Sequence, residues 1–114
     1  MKLMTKELRA KLPKLYSQEK LGEDAVVHIK FFCPWNSWNW FATEGQERGG
    51  DFIFFGLVCG FETELGYFSL SELESVRGFG GLGIERDLHF KPKTIREVRQ
   101  EHARMSGKAQ KCSE

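Results

Sequence analysis

Three side chains in the stretch IERDLHF, residues 84 to 90, are of the types that acid/base catalysis and metal binding use: Glu85, Asp87 and His89. With a period of two they share one face of a strand, and Ile84, Arg86, Leu88 and Phe90 take the other. Their spacing limits what they can do together. At a rise of ~3.3 Å per residue Glu85 and His89 stand ~13 Å apart, so an ion ~2 Å from its ligands takes two of the three at most. A third ligand has to come from elsewhere, with Glu44, Asp51 and Glu64 as candidates. The plainer expectation is a solvated polar face opposite a core face, with no bound metal and no cofactor. A nucleophilic triad is weaker still, because Ser69 serves as a helix cap and neither Cys33 nor Cys59 has surroundings that lower a thiol's pKa.

A second set of candidates is basic. Lys6, Arg9, Lys11 and Lys14 lie near the start and Arg96, Arg99 and Arg104 near the end, where they could meet phosphates. The formal net charge of +1 hides this layout. Residues 1–20 carry six basic and two acidic groups, residues 91–114 seven and three, and residues 21–90 four and eleven. Basic ends therefore flank an acidic centre, and the simplest outcome is that the ends dock on that centre and neutralise it. Trp35, Trp38 and Trp40 within six residues could stack on bases or sugars, but core filling is the expected use in a domain this small. The glycine run GFGGLG, residues 78–83, leaves a helix and enters a strand, which is the wrong context for a phosphate-cradling loop.

The elements that must position these groups can be read from pattern. Thr5 caps a first helix carrying Leu8, Leu12 and Leu15 on one side, and Pro13 kinks it or breaks it near Leu12. Ala25–Cys33 is a strand with Val27, Ile29 and Phe31 on its buried face, and Pro34 ends it. Ser37–Glu44 forms the next strand, GQERGG at residues 45–50 a polar glycine loop, and Asp51–Cys59 a central strand covered on both faces. Gly56 inside that strand marks a bulge or a close backbone approach. Gly60 turns the chain, and Glu64–Gly66 forms a second compact turn before Tyr67–Phe68. Ser69 to Glu72 fits a capping box for a helix with Leu70, Leu73 and Val76 inward that stops at Gly78, and Thr94 to Glu97 fits a second box.

At 114 residues with ten phenylalanines the chain is long enough for one core built on large rings. Three cysteines without a CxxC pair do not make a disulfide framework, and the charged start MKLMTKELRA lacks the apolar segment of a signal peptide. No stretch approaches a membrane span, so the expected setting is the cytoplasm.

Several motifs together resemble a family of short bacterial proteins, domain-of-unknown-function family 2958. They are Pro34-Trp35, Trp40 with Ala42-Thr43-Glu44, Phe55-Gly56-Leu57 with Gly60, ELGYFSLSELESVRG and GLGIERDLHF, together spanning residues 26–90 or so, with Leu3, Thr5 and Lys6 at the start. The chain departs from the family pattern at GQERGG, where an acidic loop containing proline is usual, and at Gly78-Phe79-Gly80, where a proline often follows the glycine. The resemblance implies an accessory role on plasmids or other mobile elements, and it carries no activity.

These readings predict an α+β domain over residues 1–106 with a tail over 107–114 that nothing holds. Its antiparallel sheet of about five strands is a meander, with a capped helix between the last two strands and terminal helices packed on the sheet. The expected function is non-catalytic binding of a protein partner. The alternatives are a nucleic-acid binder using the seven basic residues, binding weakly, and a small metal-dependent or acid/base enzyme using Glu85, Asp87 and His89.

Overall fold

A computed structural model describes residues 2–113, with side chains as far as Met105. The expected tail over 107–114 and the thiol of Cys112 lie outside the described residues. Five strands, β2 (Ile29–Phe32), β3 (Asn39–Arg48), β4 (Asp51–Cys59), β5 (Thr63–Ser69) and β6 (Glu85–Arg86), form an antiparallel sheet in the order β5-β4-β3-β2-β6. The first four are the predicted meander. The fifth crosses to the far side and pairs with β2, Phe31 opposite Arg86. A two-stranded ribbon, β1 (Val26–Val27) with β7 (Lys93–Thr94), lies apart from this sheet.

Helix α1 (Lys6–Lys11) and helix α2 (Leu70–Ser75) pack on one face, and α3 (Ile95–Ser113) packs on the other. On the α1 face Leu3, Met4, Leu12, Leu70, Leu73 and Ile84 close over Phe31, Phe52, Phe54 and Phe68. On the α3 face Ala25, Val27, Ile95 and Val98 close over Phe41, Leu57 and Cys59. The apolar run of β4 therefore does alternate: Phe52 and Phe54 face one core, Leu57 and Cys59 the other. Both layers are apolar, which hides the period of two.

The caps form as their sequences require. The Thr5 hydroxyl accepts from Leu8 N at 3.2 Å, and the Ser69 hydroxyl from Glu72 N at 3.2 Å. The Thr94 box is reciprocal, with Glu97 N donating to the Thr94 hydroxyl at 3.2 Å and Thr94 N to Glu97 Oε1 at 3.0 Å. Pro13 ends α1 at Lys11, one residue before Leu12, and its carbonyl accepts from Gly45 N at 2.9 Å.

Five elements differ from the sequence reading. The strand expected over Ala25–Cys33 breaks at His28 into β1 and β2, so Val27 joins the core under α3 while Ile29 and Phe31 join the core under α1. β3 runs on through Gly45-Gln46-Glu47-Arg48, and only Gly49 and Gly50, both at positive φ, make the turn. Gly45 is in that strand because a side chain there would strike Phe52 at 2.4 Å and Leu12 at 2.9 Å. Glu64-Leu65-Gly66 is strand, not turn, since the reversal is completed at Gly60, whose N–H donates to Glu62 O at 3.0 Å. α2 ends at Ser75 with Val76 as its cap, before Gly78. Finally, the strand expected over residues 84–90 stops at Arg86, because the Asp87 carboxylate accepts from His89 N at 2.9 Å and turns the chain.

Gly56 meets the close-approach expectation. A Cβ there would lie 1.8 Å from the Phe41 carbonyl oxygen, and the pairing of β3 with β4 shifts register at this point, between Ala42 and Glu44. The extra residue, Thr43, donates its hydroxyl to Phe55 O at 3.0 Å. One inserted residue reverses which way every later side chain points. Glu44 is thereby placed on the α3 face beside Phe55, and Gly45 on the α1 face.

Candidate functional site

The turn at Asp87 separates the three candidate acid/base residues. Glu85 borders a hollow with Arg77, Leu82 and Ile84, whereas Asp87 and His89 border a groove of about 920 Å³ on the α3 face. They do not share a strand face, because β6 ends at Arg86. Asp87 is occupied in holding its turn and stands 3.9 Å from the Lys30 ammonium. The groove adds His102, whose Nε2 lies 3.4 Å from the Thr63 hydroxyl, and Glu101, which accepts from Lys93 Nζ at 3.0 Å. Its floor is Phe41 and Phe90, with Lys30 and Lys93 above their rings. Sequence reading missed this pairing of α3 with the loop after β6 because nothing local links residues 89 and 102. Among the described residues no three His, Cys, Asp or Glu side chains stand close enough to hold a metal ion, and neither Glu44, Asp51 nor Glu64 joins the groove.

The seven basic candidates are likewise divided. Lys6, Arg9 and Lys11 belong to α1 on one face, and Lys14 follows it; Arg96, Arg99 and Arg104 belong to α3 on the other. Arg9 reaches Glu47 at 3.4 Å and lies over the Phe52 ring, Arg96 reaches Asp24 at 3.4 Å, and Arg99 reaches Glu23 at 2.8 Å. Arg96 and Arg99 thus tie α3 to the 3₁₀ segment Glu19–Asp24. The tryptophans are only in part core: Trp38 and Trp40 are half-buried against the α1-face core, and Trp35 is exposed. Their rings lie on glycines, Trp38 on Gly60 and Trp35 on Gly78, where a Cβ would come within 2.5 Å and 2.7 Å.

A second hollow, about 200 Å³, opens on the α3 face between the loop of residues 16–25 and β5. Its walls are three aromatic rings. Tyr16 meets Tyr67 edge-on with centroids 6.4 Å apart, and Tyr67 meets Phe55 edge-on at 5.0 Å. Its acidic members are Glu19 and Glu44, and among the described residues no lysine or arginine lines it. Glu44 is 3% exposed, and its carboxylate accepts from Tyr16 N at 2.8 Å and Gln18 N at 2.6 Å. The Gln18 amide in turn bridges β3 and β1, donating to Thr43 O at 2.8 Å and accepting from Val26 N at 2.9 Å.

This clamp fixes an unusual backbone. Tyr16 is the one non-glycine among the described residues with positive φ, 73°, a conformation that costs free energy and is kept only where the surroundings impose it. The Tyr67 hydroxyl, followed by Arg48, whose guanidinium lies 5.7 Å from the Tyr16 ring, holds the Tyr16 phenol below its ordinary pKa; Tyr67 is raised in turn by Tyr16. The only sequence signal for this site is a glutamate directly after a hydrophobic β-strand run, in WFATE.

Fold and hollows together define a small α+β domain: an antiparallel sheet with both faces covered in part, an edge strand β5 whose outer side pairs with no strand among the described residues, and recesses lined by both aromatic and charged side chains. The chain belongs to the family described as protein of unknown function (DUF2958), whose model matches residues 3–110. No curated protein and no solved structure matches it. No helix among the described residues is long and apolar enough to cross a membrane.

Proposed function

We propose that this chain is a non-catalytic interaction module that binds a basic protein partner, in an accessory role of the kind mobile genetic elements carry. The observation that supports this is the edge of the sheet. β5 pairs with β4 on one side, and among the described residues no strand pairs with its other side over Thr63–Ser69. Edge strands are ordinarily blunted by charged side chains, proline or a bulge. This one has no proline, lysine or bulge, and the charge it carries is acidic: exposed Glu64 within it and exposed Glu62 just before it, neither in an ion pair among the described residues. An extended segment carrying lysine or arginine fits such an edge, since main-chain hydrogen bonds supply affinity and complementary charge selects the partner. The free, buried thiols of Cys33 and Cys59 fit a cytoplasmic setting.

The test compares capture from a host lysate by the parent chain and by Glu62→Lys with Glu64→Lys, both at exposed positions. A basic protein held by the parent and lost by the variant is the expected result. Equal capture by both would move the interface away from β5.

A further inference from the structure

The hollow beside β5 has the makings of a cation receptor: three aromatic rings, two carboxylates and, among the described residues, no lysine or arginine in its lining. From this the geometry points to a binding site for one lysine or arginine side chain, delivered by a partner strand that lies along β5. The inference rests on the interaction-module reading and assigns its specificity pocket. Tyr67 and Leu65 sit on β5 itself and line the hollow, so a strand paired to that edge would project alternate side chains over it. Aromatic rings attract a cation through the negative face of the ring, by a modest amount at half-exposed rings such as Tyr16 and Tyr67. Glu44 supplies a buried charge. Its hydrogen bonds from Tyr16 N and Gln18 N leave further lone-pair capacity on a carboxylate, which accepts at about four sites.

Two features of the chain itself accord with this. Arg48 already lies over the Tyr16 ring at 5.7 Å, so that ring holds a cation in the free protein and a ligand would share it or displace Arg48. The positive φ at Tyr16 is held by Glu44, so the residue that closes the clamp also sets the ring that forms the wall.

The experiment is an amide-resolved NMR titration of the full chain with N-acetyl-lysine amide, N-acetyl-arginine amide and, as the neutral isostere, N-acetyl-norleucine amide. Saturable shifts at Tyr16, Phe55, Leu65 and Tyr67 with either cation, and not with norleucine, are expected. Glu19→Gln and Tyr67→Leu, both at exposed positions that leave the Glu44 clamp in place, should each weaken the cation about fivefold. Equal response to norleucine amide, or no shift with any of the three, overturns the pocket. If β5-dependent capture survives that outcome, only the pocket assignment falls. If the pocket takes cations while capture ignores Glu62 and Glu64, the interface reading falls instead.

Discussion

Glu44 has the most consequential single side chain on the α3 face. Buried and bonded to two backbone amides, it substitutes for the strand that the loop of residues 16–25 does not form. A buried donor left without its acceptor costs ~1–3 kcal/mol, so Glu44→Ala should lose ~2–5 kcal/mol, read from the urea midpoint at constant slope. Glu44→Gln keeps one acceptor oxygen and should lose about half as much; equal losses would show that the charge, not the acceptors, matters. Titration adds a second residue-level expectation. Burial, then Lys11, depresses His28; Ser71 depresses Asp51, and the Thr94 amide depresses Glu97. A depressed pKa means that the unfolded chain binds more protons below its own value, so stability is full above that value and falls with pH. Melting temperature should therefore drop first as pH passes below about 6.5, and again below about 4. His28→Gln should remove the first step, and Asp51→Asn with Glu97→Gln should flatten the second. A melting temperature constant from pH 7 to pH 5 would rule out the His28 contribution.

Among elements, β4 and its two glycine contacts decide how the sheet closes. Gly56 and Gly66 face each other across β4 and β5, yet their surroundings differ. A Cβ at Gly56 would meet the Phe41 carbonyl at 1.8 Å, which is backbone and cannot swing aside, whereas at Gly66 nothing lies within 4 Å. Gly56→Ala should therefore cost ~3 kcal/mol or more, and Gly66→Ala should be neutral or stabilise by ~0.5 kcal/mol, both by thermal melts. Similar losses at both positions would refute the close-approach account. The contrast also marks what could be read from sequence. Gly56 could be singled out inside an apolar run, and the caps at Thr5, Ser69 and Thr94 and the meander follow from local pattern. The bulge at Thr43 could not, because it depends on two strands fitting each other, and with it went the facing of Glu44. The Asp87 turn was missed for a related reason. A single side chain to amide bond outweighs the period-two pattern of IERDLHF. Trp38 and Trp40 share a face as read, but how deeply a face is covered depends on what packs above it, and here both rings stay half-buried, Trp38 resting on Gly60.

At the scale of the whole molecule, charge layout and topology bear on nucleic acid together. Duplex DNA is bound through several phosphates at once, each contact releasing a counterion, so affinity needs a continuous basic surface and falls steeply with salt. α1 and α3 lie on opposite faces of the sheet, with Arg9, Arg96 and Arg99 paired to carboxylates. Between them runs a centre with eleven acidic and four basic groups, which repels the same backbone. Binding to duplex or single strand should therefore be weak and non-specific at physiological salt, ~10⁻⁴ to 10⁻⁶ M, when followed by fluorescence anisotropy across a salt series. The variant for this test is Lys6→Ala with Lys11→Ala and Lys14→Ala. Reversing Arg96 or Arg99 instead would also repel Asp24 and Glu23, and a loss of binding could then reflect loosened packing of the 3₁₀ segment. A nanomolar constant removed by the triple lysine variant, with melting temperature unchanged, would make α1 a nucleic-acid contact. In that case the acidic β5 edge would serve to keep the polynucleotide to one face.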